Sequence, residues 1–118
     1  MADKKIAKRI DTILKNILVV KNDVQGITLE DFKKSDLLVR GVSFSIAQIG
    51  EHMNKLHDLI GEQYPDLPWA KAVTMRNIIV HVYEHVKAEV VYDTATQDLD
   101  PLYNSLLEIK NDLKKVDC

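Results

Sequence analysis

Eight residues, Arg76-Asn77-Ile78-Ile79-Val80-His81-Val82-Tyr83, place a guanidinium, an imidazole and a phenol inside an otherwise apolar helical run. Arginine is permanently charged and rarely buried without a partner, and histidine is the side chain best suited to moving a proton near neutral pH. A cation to hold a phosphate and an imidazole to move a proton are the minimum parts for breaking a phosphodiester without metal. Residues five apart on a straight helix point about 140° away from each other, so Arg76 and His81 do not share a face. Either the helix is distorted near Val80, or a second copy of the chain completes the site, its Arg76 and His81 meeting the first pair across a two-fold axis. Arg76 and Tyr83, seven apart, do share a face. Asn77 and His81, four apart, can hydrogen-bond and so fix the imidazole tautomer. The bland alternative is a set of solvated or structurally satisfied residues, the usual state of an isolated Arg or His on a helix.

Arg, four residues, His, any residue, Tyr, in the third quarter of a small helical chain, resembles the signature of the HEPN superfamily, and more narrowly of the HepT-like toxins. Ile49-Gly50-Glu51 in the middle of a long helix, Tyr64-Pro65-Asp66-Leu67-Pro68-Trp69 ahead of the motif, and Asp98-Leu99-Asp100-Pro101-Leu102 before a final helix are similar to segments in that family. The similarity runs roughly from Ile6 to Leu113. One departure is Tyr92, which stands where many relatives carry Trp; it bears on packing and not on chemistry.

The resemblance implies the toxin of a toxin-antitoxin pair, a metal-independent endoribonuclease that uses the substrate's own 2'-hydroxyl, the group that separates RNA from DNA. His81 would be general base on that hydroxyl or general acid on the leaving 5'-oxygen. Arg76 would grip the scissile phosphate with its planar fork and stabilise charge building on the equatorial oxygens. A homodimer would supply two copies of each. Asn77 is the candidate to orient His81, and Glu51 a candidate to hold Arg76. In the family the Tyr matching Tyr83 is modified with AMP by a partner nucleotidyltransferase antitoxin (MntA-like), which would set a bulky anion beside the groove; the other reading of Tyr83 is a core or rim phenol with its hydroxyl satisfied. RNA, a second copy and that antitoxin are the implied partners, with no DNA, no cofactor and no metal. The rival class is a non-catalytic module, either for helical dimerisation or for binding nucleotide through Arg76 beside a nucleotidyltransferase.

At 118 residues the chain is expected to be one domain, 1–118, burying about two thirds of its unfolded surface in a single core. Hydrophobic residues at 46% beside 29% charged are those of an ordinary globular protein, and four Gly with three Pro favour long helices over strands and turns. No stretch approaches the roughly 18 uninterrupted apolar residues of a membrane span, and no signal core follows Met1-Ala2-Asp3-Lys4-Lys5, so the cytoplasm is the expected location. The only cysteine, Cys118, is the last residue and can form no intrachain disulfide. A net charge of -2 gives no general pull on nucleic acid. The distribution is uneven, with Lys4, Lys5, Lys8, Arg9 and Lys15 against Asp3 and Asp11 at the start, and five acids without Lys or Arg from Glu89 to Glu108. The first is a local basic patch or a solvated helix face.

Helical spacing runs almost throughout. Ile6, Ile10, Ile13, Leu14, Ile17 and Leu18 mark a first helix ending near Asp23, before Gly26. Thr28 with Asp31 opens a short helix to about Lys34. From Asp36 to about Gln63, Leu38, Val42, Ile46, Ile49, Met53, Leu56 and Ile60 form a seam. Beside it runs a stripe of Arg40, Ser43, Ala47, Gly50 and Asn54, which is a subunit contact, the wall of a groove or a plain solvent face. Pro65 and Pro68 break that helix, and Asp66 or Pro68 starts the one carrying the motif to about His81 or Tyr83. After a turn near Glu84 to Val86, Lys87 to Gln97 is helical, with Val90, Val91, Thr94 and Ala95. Asp100 as N-cap with Pro101 at the first position opens the last helix, which buries Leu102, Leu106, Ile109 and Leu113. The expected architecture is all-α, an up-and-down bundle of four main helices plus short ones.

Other chemistries find little. His81 and His85 have i, i+4 zinc spacing but no further ligands and no intervening Glu of a protease motif, and His52 and His57, five apart, splay. No two Gly fall within six residues, so phosphate-binding loops are missing, and there is no nucleophile elbow.

Overall fold

The computed structural model describes residues 2–82 and 88–116. These are helical almost throughout and hold no strand: α1 (Ala2–Val24), α2 (Leu29–Lys34), α3 (Asp36–Ile60), α4 (Trp69–Val82), α5 (Ala88–Asp93), a π-helical segment (Thr94–Asp98) and α6 (Leu99–Val116). The all-α bundle expected from the spacing is the one observed, with α1, α3, α4 and α6 as its long members. No described helix is long and apolar enough to cross a membrane.

Local signals explain where the helices begin and end. Gly26 sits at φ 74° just past α1, the left-handed conformation that ends a helix cheaply only without a Cβ, and the Ile27 N–H donates back to the Val24 carbonyl at 3.0 Å. The Thr28 hydroxyl accepts from the Asp31 N–H at 3.2 Å as the cap of α2. Ser35 serves two helices at once: its N–H donates to the Phe32 carbonyl at the end of α2, while its hydroxyl accepts from the Leu38 N–H at the start of α3. α3 ends at Ile60, three residues before the expected Gln63, because Gly61 and the prolines begin the link to α4 there.

The core is built from the predicted stripes. Ile6, Ile10, Ile13, Leu14 and Ile17 of α1, Val42, Ile46, Ile49, Met53, Leu56 and Ile60 of α3, and Leu102, Leu106 and Ile109 of α6 are all buried. Each such side chain contributes roughly 1.5–3 kcal/mol relative to exposure. Leu18 and Val90 break the pattern: both are half exposed, while Val20, Val24 and Val91 are buried, and Leu38 and Leu113, expected in the buried stripes, are only partly buried. Helix order follows from cross-helix pairs. Lys110 meets Asp11 and Lys21 meets Asp100 at 2.6 Å, so α6 runs antiparallel to α1. Phe32 of α2 packs on Tyr92 of α5 with ring centroids 5.4 Å apart, and the Tyr92 hydroxyl donates to the Ile27 carbonyl at 2.6 Å. A tyrosine thus fills this level and ties the end of the α1–α2 turn with its hydroxyl, which indole at this position would not reproduce in the same geometry.

The last helix starts differently from the expectation at Asp100. α5, the π-helical segment and α6 follow one another without a break, and Pro101 is the third residue of α6. Proline lacks the N–H that would bond to the Gln97 carbonyl, and its ring crowds that turn. The π-helical segment immediately upstream widens the backbone where an α-turn would clash. The Thr96 hydroxyl donates to the Tyr92 carbonyl one turn back at 2.8 Å. The proline is accommodated by a bulge and does not mark a helix start.

Candidate active site

α4 carries the motif and lies antiparallel against α3. Trp69 at its start tilts onto His57 near the end of α3, with centroids 4.8 Å apart, and Trp69 Nε1 donates to the Tyr64 carbonyl at 2.9 Å. The Pro65–Pro68 link is thereby pinned, and with it the entry of α4. Midway along the pair, the Gly50 backbone touches α4 directly. A Cβ built at Gly50 would lie 2.6 Å from the Ala72 carbonyl oxygen and closer still to the Arg76 backbone nitrogen. This close approach sets the height of Arg76.

The stripe of small and polar residues on α3 is therefore an internal contact. Ser43, Ala47 and Gly50 are buried within the chain, Gly50 against the α4 backbone, while Arg40 is exposed and pairs with Asp36 at 3.0 Å. A plain solvent face fits Arg40 but not Ser43, Ala47 and Gly50. The Ser43 hydroxyl and Asn54 Nδ2 are buried without a hydrogen-bond partner among the described residues.

Arg76 is exposed, and among the described residues it makes no ion pair. Asn77 is exposed beside it. α4 stays α-helical through Val82 and does not break at Val80. Arg76 and His81 of one chain thus keep their angular separation of about 140° on one helix. His81 lies in the last turn of α4, one turn beyond Asn77. The side chain of His81, all of Tyr83, the turn near Glu84 and the His81–His85 pair lie outside the described residues. Glu51 is half-buried, and its Oε1 lies 3.7 Å from Lys55 Nζ, so the ion pair that the structure gives it is one turn along α3 and not with Arg76.

A second group of charged residues, which the motif gives no hint of, lies between α1 and α3. A cleft of about 630 Å³ is lined by Lys5, Lys8 and Arg9 from α1 and by His52, Lys55 and Asp58 from α3. Arg9 Nη1 lies 3.0 Å from His52 Nδ1. Burial, then the Arg9 and Lys55 charges, hold the His52 pKa below the usual histidine value, with Glu51 opposing them. The lysine-rich start of the chain was visible in sequence. Its meeting with His52, 43 residues away, was not.

Comparison with known proteins covers nearly the whole chain. The family described as ribonuclease HepT-like matches residues 6–109. The chain is 28% identical over 100 residues to "Putative RNase TTE0752" of Caldanaerobacter subterraneus subsp. tengcongensis, which covers 85% of this chain and 89% of that protein. It is 23% identical over 117 residues to "Putative RNase MJ0127" of Methanocaldococcus jannaschii, covering 99% and 94%. It is 24% identical over 93 residues to "Probable ribonuclease HepT" of Thermococcus cleftensis, covering 79% and 84%. No solved structure matches the chain.

Proposed function

The chain belongs to the ribonuclease HepT-like family of the HEPN superfamily, and on that premise we propose that it is a metal-independent endoribonuclease whose site is completed by a second copy of the chain. The observation that carries the proposal is Arg76: an exposed guanidinium, without an acidic partner among the described residues, on a helix whose height is set by the backbone contact at Gly50. A cation kept free of carboxylates is available to a phosphate, and arginine's fork matches two phosphate oxygens at once. The unbroken helix through Val82 favours the two-copy arrangement over a distorted single helix. So do Leu37, Phe44 and Val73, which α3 and α4 leave 83%, 54% and 44% exposed. Apolar side chains of this size on the same helix pair suit a like surface related by a two-fold axis.

In this reading one imidazole removes the proton from the 2'-hydroxyl, whose oxygen attacks phosphorus. The P–O5' bond breaks, and the second imidazole delivers a proton to the leaving 5'-oxygen. The products are a 2',3'-cyclic phosphate and a 5'-hydroxyl. Asn77, one turn from His81, holds the imidazole in the required tautomer. The chain acts as the toxin of a toxin-antitoxin pair, restrained by a nucleotidyltransferase that transfers AMP to the Tyr83 hydroxyl. The bulk and negative charge of AMP beside the phosphate path would exclude RNA.

Purified protein is expected to cut RNA in excess chelator and to leave cyclic-phosphate ends. Cleavage that stops on chelation, or ends bearing 3'-hydroxyls, would sink the proposal in favour of a metal-dependent reaction, and no cleavage of any RNA would leave the non-catalytic module. After co-expression with a cognate nucleotidyltransferase, peptide mass spectrometry should find one adenylyl group on Tyr83. An unmodified Tyr83 peptide from a demonstrably neutralised complex would show that restraint works by occlusion.

A further inference from the structure

We propose that the cleft between α1 and α3 is a second nucleic-acid contact, a basic track that holds the phosphodiester backbone of a single RNA strand away from the Arg76 site. The proposal rests on the ribonuclease reading for the identity of the strand. Four cations, Lys5, Lys8, Arg9 and Lys55, line the cleft against one carboxylate, Asp58. Lys55 is shared with Glu51 at 3.7 Å, while Lys5 and Lys8 are exposed and make no ion pair among the described residues. Unneutralised lysines clustered in a chain of net charge -2 concentrate a local positive field in a protein that otherwise repels polyanions weakly.

The shape suits a chain of phosphates better than one. Lys5, Lys8 and Arg9 step along one turn of α1, a rise of about 6 Å, and the cleft holds about 630 Å³, far more than a single phosphate fills. His52 adds a specific donor. Arg9 Nη1 donates to His52 Nδ1 at 3.0 Å, which leaves the proton of the neutral ring on Nε2. Burial, then the Arg9 and Lys55 charges, depress His52, with Glu51 opposing them; phosphates entering the cleft would set negative charge against those cations and raise it.

The position separates this track from the cleavage site. Gly50 faces α4 at Arg76, and His52, two residues on, points about 160° away from it around α3. A strand engaging both must pass around that helix, so the track binds RNA flanking the scissile bond.

The test measures binding by fluorescence anisotropy of a labelled single-stranded RNA in the Arg76→Ala background, so that the strand is not cut. Lys5→Gln with Lys8→Gln is expected to weaken binding about tenfold near 0.15 M salt, and to flatten the slope of log affinity against log salt by about 1.4. Lys21→Gln with Lys34→Gln removes the same charge elsewhere and is expected to leave the slope unchanged. Saturation with RNA is also expected to raise the His52 titration seen by NMR, assigned through its loss in His52→Gln, whereas inorganic phosphate at equal phosphate concentration leaves it in place. An unchanged slope in the first pair, an equal loss in the second, or a His52 shift produced equally by inorganic phosphate overturns the track. Cleavage by the chain with Arg76 intact is scored separately. Unchanged binding in a chain that cuts RNA removes only the track, and binding lost in the first pair without any cleavage by the parent removes only the nuclease reading.

Discussion

Arg76→Ala is expected to lower the rate constant for RNA cleavage by about 10²–10³-fold, the range found when one preorganised donor to a developing oxyanion is removed. Folding should be nearly untouched. Arg76 is exposed and holds no ion pair among the described residues, so its truncation falls among surface changes, which usually stay within about 0.5 kcal/mol. Unchanged melting beside lost cleavage separates a chemical role from a structural one. Arg76→Lys should recover only part of the activity, because an ammonium keeps the charge but lacks the planar pair of donors that spans two phosphate oxygens. His81→Ala belongs to the same experiment, with a loss of about 10²–10⁴-fold expected for a group that transfers a proton in the transition state. In a mixed dimer of Arg76→Ala and His81→Ala chains, a site built from both copies regains some cleavage and a site within one chain regains none. Full activity in Arg76→Ala would remove the arginine from the chemistry.

Gly50→Ala is expected to damage both stability and activity, and for one reason. The added methyl meets backbone, the Ala72 carbonyl oxygen at 2.6 Å and the Arg76 nitrogen, and not the yielding end of a side chain. α4 itself must therefore move. Overpacking of this kind costs about 1–3 kcal/mol, so thermal unfolding should fall by several degrees, about 2–8 °C for each kcal/mol across the domain sizes that bracket this chain. The displaced element carries Arg76, and a misplacement of about 1 Å can cost about 10²-fold in rate. Gly41→Ala is the internal control. Gly41 lies on the same helix with nothing within 4 Å of a built Cβ, and its replacement should be neutral or stabilising by up to about 1 kcal/mol through helix propensity. Equal behaviour of the two variants would show that α4 has slack against α3 and that Arg76 is not held by that contact.

The amino-acid sequence by itself determined the helices of this protein, their buried stripes and the family it belongs to. Those features are local: apolar residues at three- and four-residue steps, Thr28 ahead of Asp31, Gly26 past α1, and the Arg-His-Tyr spacing are all legible within a turn or two of chain. The tertiary structure decided what depends on a partner distant in sequence. Leu18 carries the same apolar side chain as its buried neighbours, yet it lies where α1 is only half covered. Pro101 read as a helix start because proline usually is one, but the packing of α5 and α6 keeps the two continuous, and a π-helical segment absorbs the misfit. The Arg40–Asn54 stripe could not be assigned from one helix alone, since small residues permit a close approach without naming the helix that makes it. Only the fold shows that α4 takes that place at Gly50, and that Arg9 and His52, 43 residues apart, meet across the α1–α3 cleft. Periodicity specifies which face of a helix is buried; the identity of what covers it is set by how all the helices pack together.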